Sequence, residues 1–132
     1  PGVIVDGAHN EEGIARFVET VRYFQEDYPI TLLFTTVSDK DFKDMISRIC
    51  RELKFQNVVT TEIWGSRRES ARELGRLFQE NGCPRVYVEP SVEKAFDKAY
   101  ELKGEGLMFA VGSLYLVGEI KDYVRRSVHD KF

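Results

Sequence analysis

Short apolar runs alternate along the chain with segments in which apolar residues recur every three or four positions. Runs of this length predict buried strands, and the longer spacing predicts amphipathic helices. The predicted strands cover 3–5, 31–36, 57–63, 85–89 and 107–111, and the apolar stripes of the predicted helices cover 14–24, 42–53, 71–78, 95–102 and 114–124. Turn residues mark each change of pattern, so every predicted strand is followed by a predicted helix.

Five successive strand–helix units require right-handed crossovers, which place the strands mostly parallel and the helices on both faces of one sheet. We therefore predict an α/β fold, a three-layer α/β/α Rossmann-like domain. Because no repeat, linker or low-complexity segment interrupts the pattern, we expect residues 1–132 to form a single domain. Ligands of such sheets bind beyond the carboxyl ends of the strands. Candidate chemistry is therefore expected in the turns at 6–10, 35–41, 64–69, 89–91 and 112–115.

Charge and length narrow the range of partners. The 132-residue chain has a net charge of −3 and a sequence pI of about 5.5, which argues against nucleic acid or a membrane surface as the partner. No apolar run approaches the roughly 18 residues needed to span a bilayer, and the start of the chain does not resemble a signal peptide. Because the chain starts with Pro1-Gly2 rather than Met, we expect it to be a domain of a longer protein.

The two cysteines, Cys50 and Cys83, are too few for a disulfide framework. Neither has further ligand residues nearby at metal-binding spacing. Cys50 lies on the apolar stripe of the second predicted helix, which predicts a buried thiol. This cysteine usage fits a reducing setting, so we expect a cytoplasmic protein.

The first strand–helix turn, residues 6–10, reads D-G-A-H-N. It contains neither G-x-G-x-x-G nor a P-loop, and Glu11 and Glu12 in the first turn of the following helix repel an approaching phosphate. Asp6 and His9 are placed to reach a sugar hydroxyl, a metal or the edge of a phosphate from the side. The alternative interpretation is structural: Asp6 ends the strand, Asn10 caps the helix and His9 is a solvated loop residue.

The last strand–helix turn contains the strongest candidate anion site in the chain. Its helix start carries no acid until Glu119, so its backbone N–H groups and the positive end of its dipole are available to a carboxylate or phosphate. Gly112 permits close backbone approach, and Ser113 offers a hydroxyl. The alternative is that Ser113 is only an N-cap. In the turn after the second strand, Lys40 directs a cation toward the same edge or is simply solvated.

These turns resemble motifs of the folylpolyglutamate synthase family, within the Mur ligase superfamily. Residues 5–10, V-D-G-A-H-N, resemble its D-G-A-H-N-P motif, and V-G-S-L-Y with the later G-E at 118–119 resembles its T-G-S-L-Y-x-x-G-E segment. D-K-D at 39–41 is similar to its D-K-D. The three matches occur in the family's order, from the first strand to the last helix. Glu11 replaces the usual proline and Val111 a common threonine, and neither change removes a functional group.

The resemblance implies that the chain is the C-terminal domain of a two-domain ligase. In that family the N-terminal domain carries the P-loop, the Mg²⁺ ligands and the folate site. The complete enzyme uses ATP to phosphorylate the terminal γ-carboxylate of a folate derivative, and the amine of L-glutamate attacks the acyl phosphate; some members also join dihydropteroate to glutamate. The C-terminal domain alone is expected to be inactive. Its sheet in the family is mixed and six-stranded, so a sixth strand is expected within 57–64 or at a terminus.

The resemblance also implies roles for single residues. Asp6 and His9, the catalytic candidates, face the nucleotide together with Asn10, while Ser113 and Gly112 hold a carboxylate of glutamate and Lys40 is a further candidate for that task. No metal ligand is assigned to this chain. Two alternatives remain: another Mur-type ligase, such as one that adds amino acids to a cell-wall precursor, and a non-catalytic module that binds a nucleotide or an amino acid. The G-S-L-Y segment favours the folate branch.

Overall fold

The computed structural model describes residues 2–37, 41–65 and 69–127, and within them strands and helices alternate as predicted. Among the helices of these ranges, none combines the length and the apolar composition of a membrane-spanning segment. The elements are β1 (Val3–Asp6), α1 (Glu11–Gln25), β2 (Ile30–Phe34), α2 (Phe42–Glu52), β3 (Asn57–Thr60), α3 (Ala71–Glu80), β4 (Val86–Val88), α4 (Val92–Lys103), β5 (Leu107–Val111) and α5 (Leu114–Arg126).

The five strands form one parallel sheet in the order β1-β5-β2-β3-β4. The sheet confirms the predicted α/β fold. The expected sixth strand within 57–64 was wrong, because after Thr60 the chain turns toward the start of α3. There the Thr60 hydroxyl donates to the Ala71 carbonyl at 2.7 Å, and the Glu62 carboxylate accepts from the Ala71 N–H at 2.8 Å. The second strand is also shorter than predicted and ends at Phe34.

Side chains that alternate along the central strand β5 divide the core between the two faces of the sheet. Leu107, Phe109 and Val111 pack with α1, α2 and α3, whereas Met108 and Ala110 pack with α4 and α5. All five residues of β5 are buried, as are all five of β2. Strands buried on both faces require helices on both sides, which gives the three predicted layers.

The burial of the cysteines differs from the prediction. Cys50 and Cys83 are both half-buried and border the core formed with α1, α2 and α3. Cys50 lies on the margin of the buried face of α2, whose centre is occupied by Met45, Ile46 and Ile49. The thiol of Cys50 was predicted to be buried and is only partly buried, since helical spacing locates the apolar face of a helix but not its edge.

Candidate functional site

Two of the predicted turns lie side by side at the carboxyl edge of the sheet. Strands β1 and β5 are neighbours, with Asp6 in register with Val111, so the chain leaves both strands at the same level. The turns are also in contact: a Cβ added at Gly7 would lie 2.3 Å from Cδ2 of Leu114, the first residue of α5. The sheet order therefore joins residues that are more than 100 positions apart in sequence.

The turn after β1 is held by its own side chains. Oδ1 of Asp6 accepts a hydrogen bond from the Ala8 N–H at 2.9 Å. Oδ1 of Asn10 accepts from the Gly13 N–H at 2.8 Å and caps α1. This confirms Asn10 as the N-cap, and the first turn of α1 carries Glu11 and Glu12 as predicted. The start of α1 is thus capped and acidic, which is unsuited to cradling phosphates.

The imidazole of His9 is oriented by the backbone of the same turn. Its Nδ1 lies 2.9 Å from the Gly7 carbonyl oxygen. A carbonyl only accepts hydrogen bonds, so this contact requires the proton on Nδ1. In the neutral ring Nε2 is then an acceptor that this bond does not engage. His9 is half-buried, so a ligand can reach the ring.

The turn after β5 requires glycine and forms a helix cap. Gly112 has φ +116°, and a Cβ there would lie 1.8 Å from the Thr35 carbonyl oxygen. Ser113 is 3% exposed, and its Oγ accepts from the Tyr115 N–H at 3.0 Å, which confirms it as the N-cap of α5. The first turn of α5 contains no acidic residue. Its dipole end therefore favours an anion, unlike that of α1.

Two buried threonines at the same edge were missed by the sequence analysis. Thr35 and Thr36 follow β2, and among the described residues their hydroxyl oxygens have no hydrogen-bond partner. Thr35 also contacts the Gly112 turn through its carbonyl. The available signal was the position of two hydroxyls at the end of an apolar strand, where the predicted strand 31–36 overlaps the candidate turn 35–41. Buried hydroxyls without partners are candidates for binding water or a ligand.

A cleft of about 300 Å³ lies between the starts of α1 and α2. It brings His9 together with Asp44 and Arg48 of α2, whereas Asp6 does not line it. A hydrogen bond with Asp41 and repulsion from its carboxylate raise the pKa of Asp44. Arg48 is paired with Glu52 at 3.0 Å. Lys40, the predicted cation next to this cleft, lies outside the described residues.

The donor set at this edge does not resemble a complete metal site. In the described ranges no three His, Cys, Asp or Glu residues are grouped so that they could hold a metal ion. Ions such as Mg²⁺ take several oxygen ligands, usually carboxylates, phosphates and water. The residues present fit at most one or two contacts to a metal–nucleotide complex.

These features define a parallel α/β domain with two adjoining polar turns at the carboxyl edge of its sheet, one acidic and one suited to an anion. The chain belongs to the family of Mur ligase, glutamate ligase domains, which it matches over residues 1–114. The predicted resemblance is therefore confirmed at the level of the superfamily.

Two similar curated proteins are named as folylpolyglutamate synthases, the family that the motifs of this chain resemble. The probable bifunctional folylpolyglutamate synthase/dihydropteroate synthase of Haloferax volcanii is 30% identical over 132 residues, 99% of this chain and 15% of that protein. Its counterpart in Halobacterium salinarum is 32% identical over 122 residues, 92% of this chain and 14% of that protein. This chain therefore spans about one-seventh of the length of these curated relatives.

Solved structures of similar proteins share the fold of this chain. E. coli FolC in complex with ADP has a TM-score of 0.82 at 20% identity, covering 96% of this chain and 30% of that one. The folylpolyglutamate synthase of Thermotoga maritima has a TM-score of 0.74 at 23% identity, covering 98% and 29%. Both matches extend over nearly all of the present chain and less than a third of the other.

Proposed function

We propose that the chain is the C-terminal, glutamate-binding domain of a two-domain ligase of the folylpolyglutamate synthase type. The observation that carries the proposal is the contact between the D-G-A-H-N turn and the start of α5, which unites two family motifs at one edge of the sheet. In the proposed reaction ATP phosphorylates the terminal γ-carboxylate of a folate derivative. The amine of L-glutamate then attacks the acyl phosphate, forming an amide and releasing phosphate.

The start of α5 is the proposed site for a carboxylate of the incoming glutamate. The first turn of α5 contains no acidic residue, and the Ser113 hydroxyl, which accepts from the Tyr115 N–H, keeps its own proton to donate. Such donors contribute about 1–3 kcal/mol, less than the several kcal/mol lost in immobilising a ligand. The chain alone is therefore expected to bind glutamate only at about millimolar concentration or above. Lys40 stays a further candidate for the same carboxylate.

The turn after β1 is the proposed contact with the nucleotide. His9 offers Nε2, Asp6 offers the carboxylate oxygen that does not bond Ala8, and Asn10 stands beside them at the helix start. The nucleotide complexes of related enzymes support this role: E. coli FolC was solved with ADP and the Yersinia pestis enzyme with AMPPNP and Mn. When bound, Mg²⁺ neutralises phosphate charge; we assign its ligands mainly to the N-terminal domain.

Closure against a P-loop domain of the same protein completes the proposed site. Large apolar side chains are exposed at the carboxyl edge of the sheet: Trp64 is 94%, Leu114 64% and Tyr115 71% exposed. Exposed apolar groups of this size suit a face that packs against another domain. Closure would exclude water from the acyl phosphate and align it with the glutamate amine, which is where positioning contributes most to the rate.

The test is a glutamate-dependent ATPase assay of the full-length protein with folate acceptors, with products analysed by mass spectrometry. We expect ATP hydrolysis only when both L-glutamate and a folate are present, and a folate product extended by one glutamyl residue. Turnover with a different amino acid and a non-folate acceptor would favour another Mur-type ligase. Binding of nucleotide or glutamate without turnover would favour the non-catalytic module.

A further inference from the structure

The two cysteines of the chain are brought together by the fold. Sγ of Cys50, near the end of α2, lies 3.6 Å from Sγ of Cys83, in the turn between α3 and β4. The residues are 33 positions apart in sequence, and both are half-buried, so small molecules in solution can reach them. The reaction proposed for the carboxyl edge uses neither thiol.

The geometry of the pair is close to that needed for a disulfide. A disulfide requires the two sulfur atoms to approach to about 2.05 Å. The Sγ atoms are 3.6 Å apart, so they must approach by about 1.5 Å for the bond to form. Beside Cys83, Gly82 has φ +95° and no atoms within 4 Å of an added Cβ, so the turn has open space in which to adjust. Among the described residues no third ligand joins the thiols to form a metal site.

The two thiols are chemically unequal. The hydrogen bond from Cys50 lowers the pKa of Cys83, whereas the same contact and burial raise the pKa of Cys50. The thiolate is the nucleophile in thiol–disulfide exchange. Cys83 also lies in a turn with open space beside it, whereas Cys50 lies within α2, so we assign Cys83 as the thiol that attacks first and Cys50 as the resolving thiol.

We propose that Cys50 and Cys83 form a redox-responsive pair that is oxidised to an intramolecular disulfide by low-molecular-weight disulfides such as oxidised glutathione. The Cys83 thiolate attacks one sulfur of glutathione disulfide, which breaks that bond, forms a mixed disulfide and releases one glutathione thiolate. The Cys50 thiol loses its proton to solvent and attacks Sγ of Cys83, releasing the second glutathione. The protein loses two electrons and two protons, and glutathione disulfide gains them as two thiols.

The position of the two cysteines in the fold predicts how a disulfide between them would affect stability. Cys50 precedes β3 and Cys83 precedes β4, so both lie at the amino-terminal edge of the sheet, opposite the turns that contain His9 and Ser113. A bond there would tie α2 to the turn after α3 without covering the candidate site. Closing a loop of this length restricts the unfolded chain and stabilises the fold. The oxidised protein is therefore expected to melt about 10 °C above the reduced protein.

The test equilibrates the full chain in glutathione buffers of increasing oxidised fraction, blocks free thiols and digests with trypsin without reduction. We expect peptide 49–51 linked to peptide 77–85 in the oxidising buffers, loss of the link with dithiothreitol, and the higher Tm in the linked form. Free thiols, or glutathione adducts that persist on both cysteines of the folded protein, would overturn the proposal.

Single variants test the order of attack. Cys50→Ser keeps a hydrogen-bond donor beside Cys83 and should accumulate the Cys83–glutathione adduct as fast as the wild type reacts. Cys83→Ser should form an adduct at Cys50 at least about 10-fold more slowly, because that thiol is the weaker acid. Circular dichroism confirms that each variant is folded. Equal rates in the two folded variants would contradict the assignment of Cys83 as the attacking thiol.

Discussion

At the scale of single residues, the hydrogen bond from His9 Nδ1 to the Gly7 carbonyl gives the two nitrogens of the imidazole different roles. The Nδ1 side fixes the turn, and the Nε2 side is directed away from that bond. The capping and ligand interpretations of this turn are therefore compatible, since Asn10 supplies the cap and His9 retains a nitrogen for a ligand.

We expect His9→Asn to lower turnover of the full-length enzyme by about 5- to 10-fold while leaving Tm unchanged. The Asn amide replaces the Nδ1 donor to Gly7 but lacks an atom at the position of Nε2, and one hydrogen bond to a ligand is worth about 1 kcal/mol. Steady-state kinetics and thermal melting measure the two effects. His9→Ala is the control that also loses the turn bond. Wild-type kinetics in both variants would leave His9 with only its structural role.

At the scale of elements, the turn that leads into α5 requires glycine at position 112. Gly112→Ala forces a Cβ to within 1.8 Å of the Thr35 carbonyl oxygen at φ +116°. We expect it to destabilise the fold by about 2–4 kcal/mol, as measured by denaturant unfolding.

Gly118→Ala, within α5, is the matched control. An added Cβ at Gly118 meets no atom within 4 Å, and alanine is the better helix former. This variant should gain about 0.5–1 kcal/mol in stability. Equal effects of the two substitutions on the free energy of unfolding would contradict the close contact between the Gly112 turn and the Thr35 carbonyl.

The start of α2 predicts a pH-dependent change in stability. The hydrogen bond and repulsion from Asp41 give Asp44 a pKa in the folded protein above its ordinary value. A carboxyl with a raised folded pKa destabilises the fold once pH rises through that pKa, and the penalty disappears in acid. Asp44→Asn should therefore raise Tm slightly near about pH 7 and leave it unchanged near about pH 3. A decrease at neutral pH would show that the helix dipole outweighs the repulsion.

The elements also show what the sequence could and could not predict. Alternating apolar runs and helical stripes located all five strands and helices of the described chain, because burial in a parallel sheet imposes those patterns. The end of β2 was predicted too late, since Thr35 and Thr36 have strand-like composition but the strand ends at Phe34, and the Thr35 carbonyl lies against Gly112. The meeting of Cys50 with Cys83 depends on how α2 packs beside α3, which one-dimensional patterns do not contain.

At the scale of the whole molecule, the proposed function makes the candidate site one wall of a cleft between two domains. The motifs identified the turns, but the sheet order β1-β5-β2-β3-β4 was needed to show that the first and last turns are neighbours. The P-loop is absent from this sequence. We therefore propose that a partner domain binds the phosphates, which is why the complete site could not be predicted from this sequence.

The isolated chain of residues 1–132 should show neither ligase nor ATPase activity. Phosphoryl transfer needs a phosphate cradle and metal ligands, and the family resemblance assigns both to the N-terminal domain. The measurement is phosphate release by the purified chain with ATP, glutamate and a folate present. Sustained turnover that follows the protein through purification would contradict the proposal that the N-terminal domain supplies the phosphate and metal sites.

The most direct test of the glutamate site places a charge beside it in the full-length enzyme. Tyr115 is exposed in the first turn of α5, where an acid suits the helix dipole, so Tyr115→Glu should keep or slightly raise Tm. The same carboxylate would repel that of glutamate, raising the glutamate KM about 10-fold above that of the neutral control Tyr115→Gln, with a smaller change in the ATP KM. Equal glutamate KM values in two folded variants would contradict a glutamate site at the start of α5.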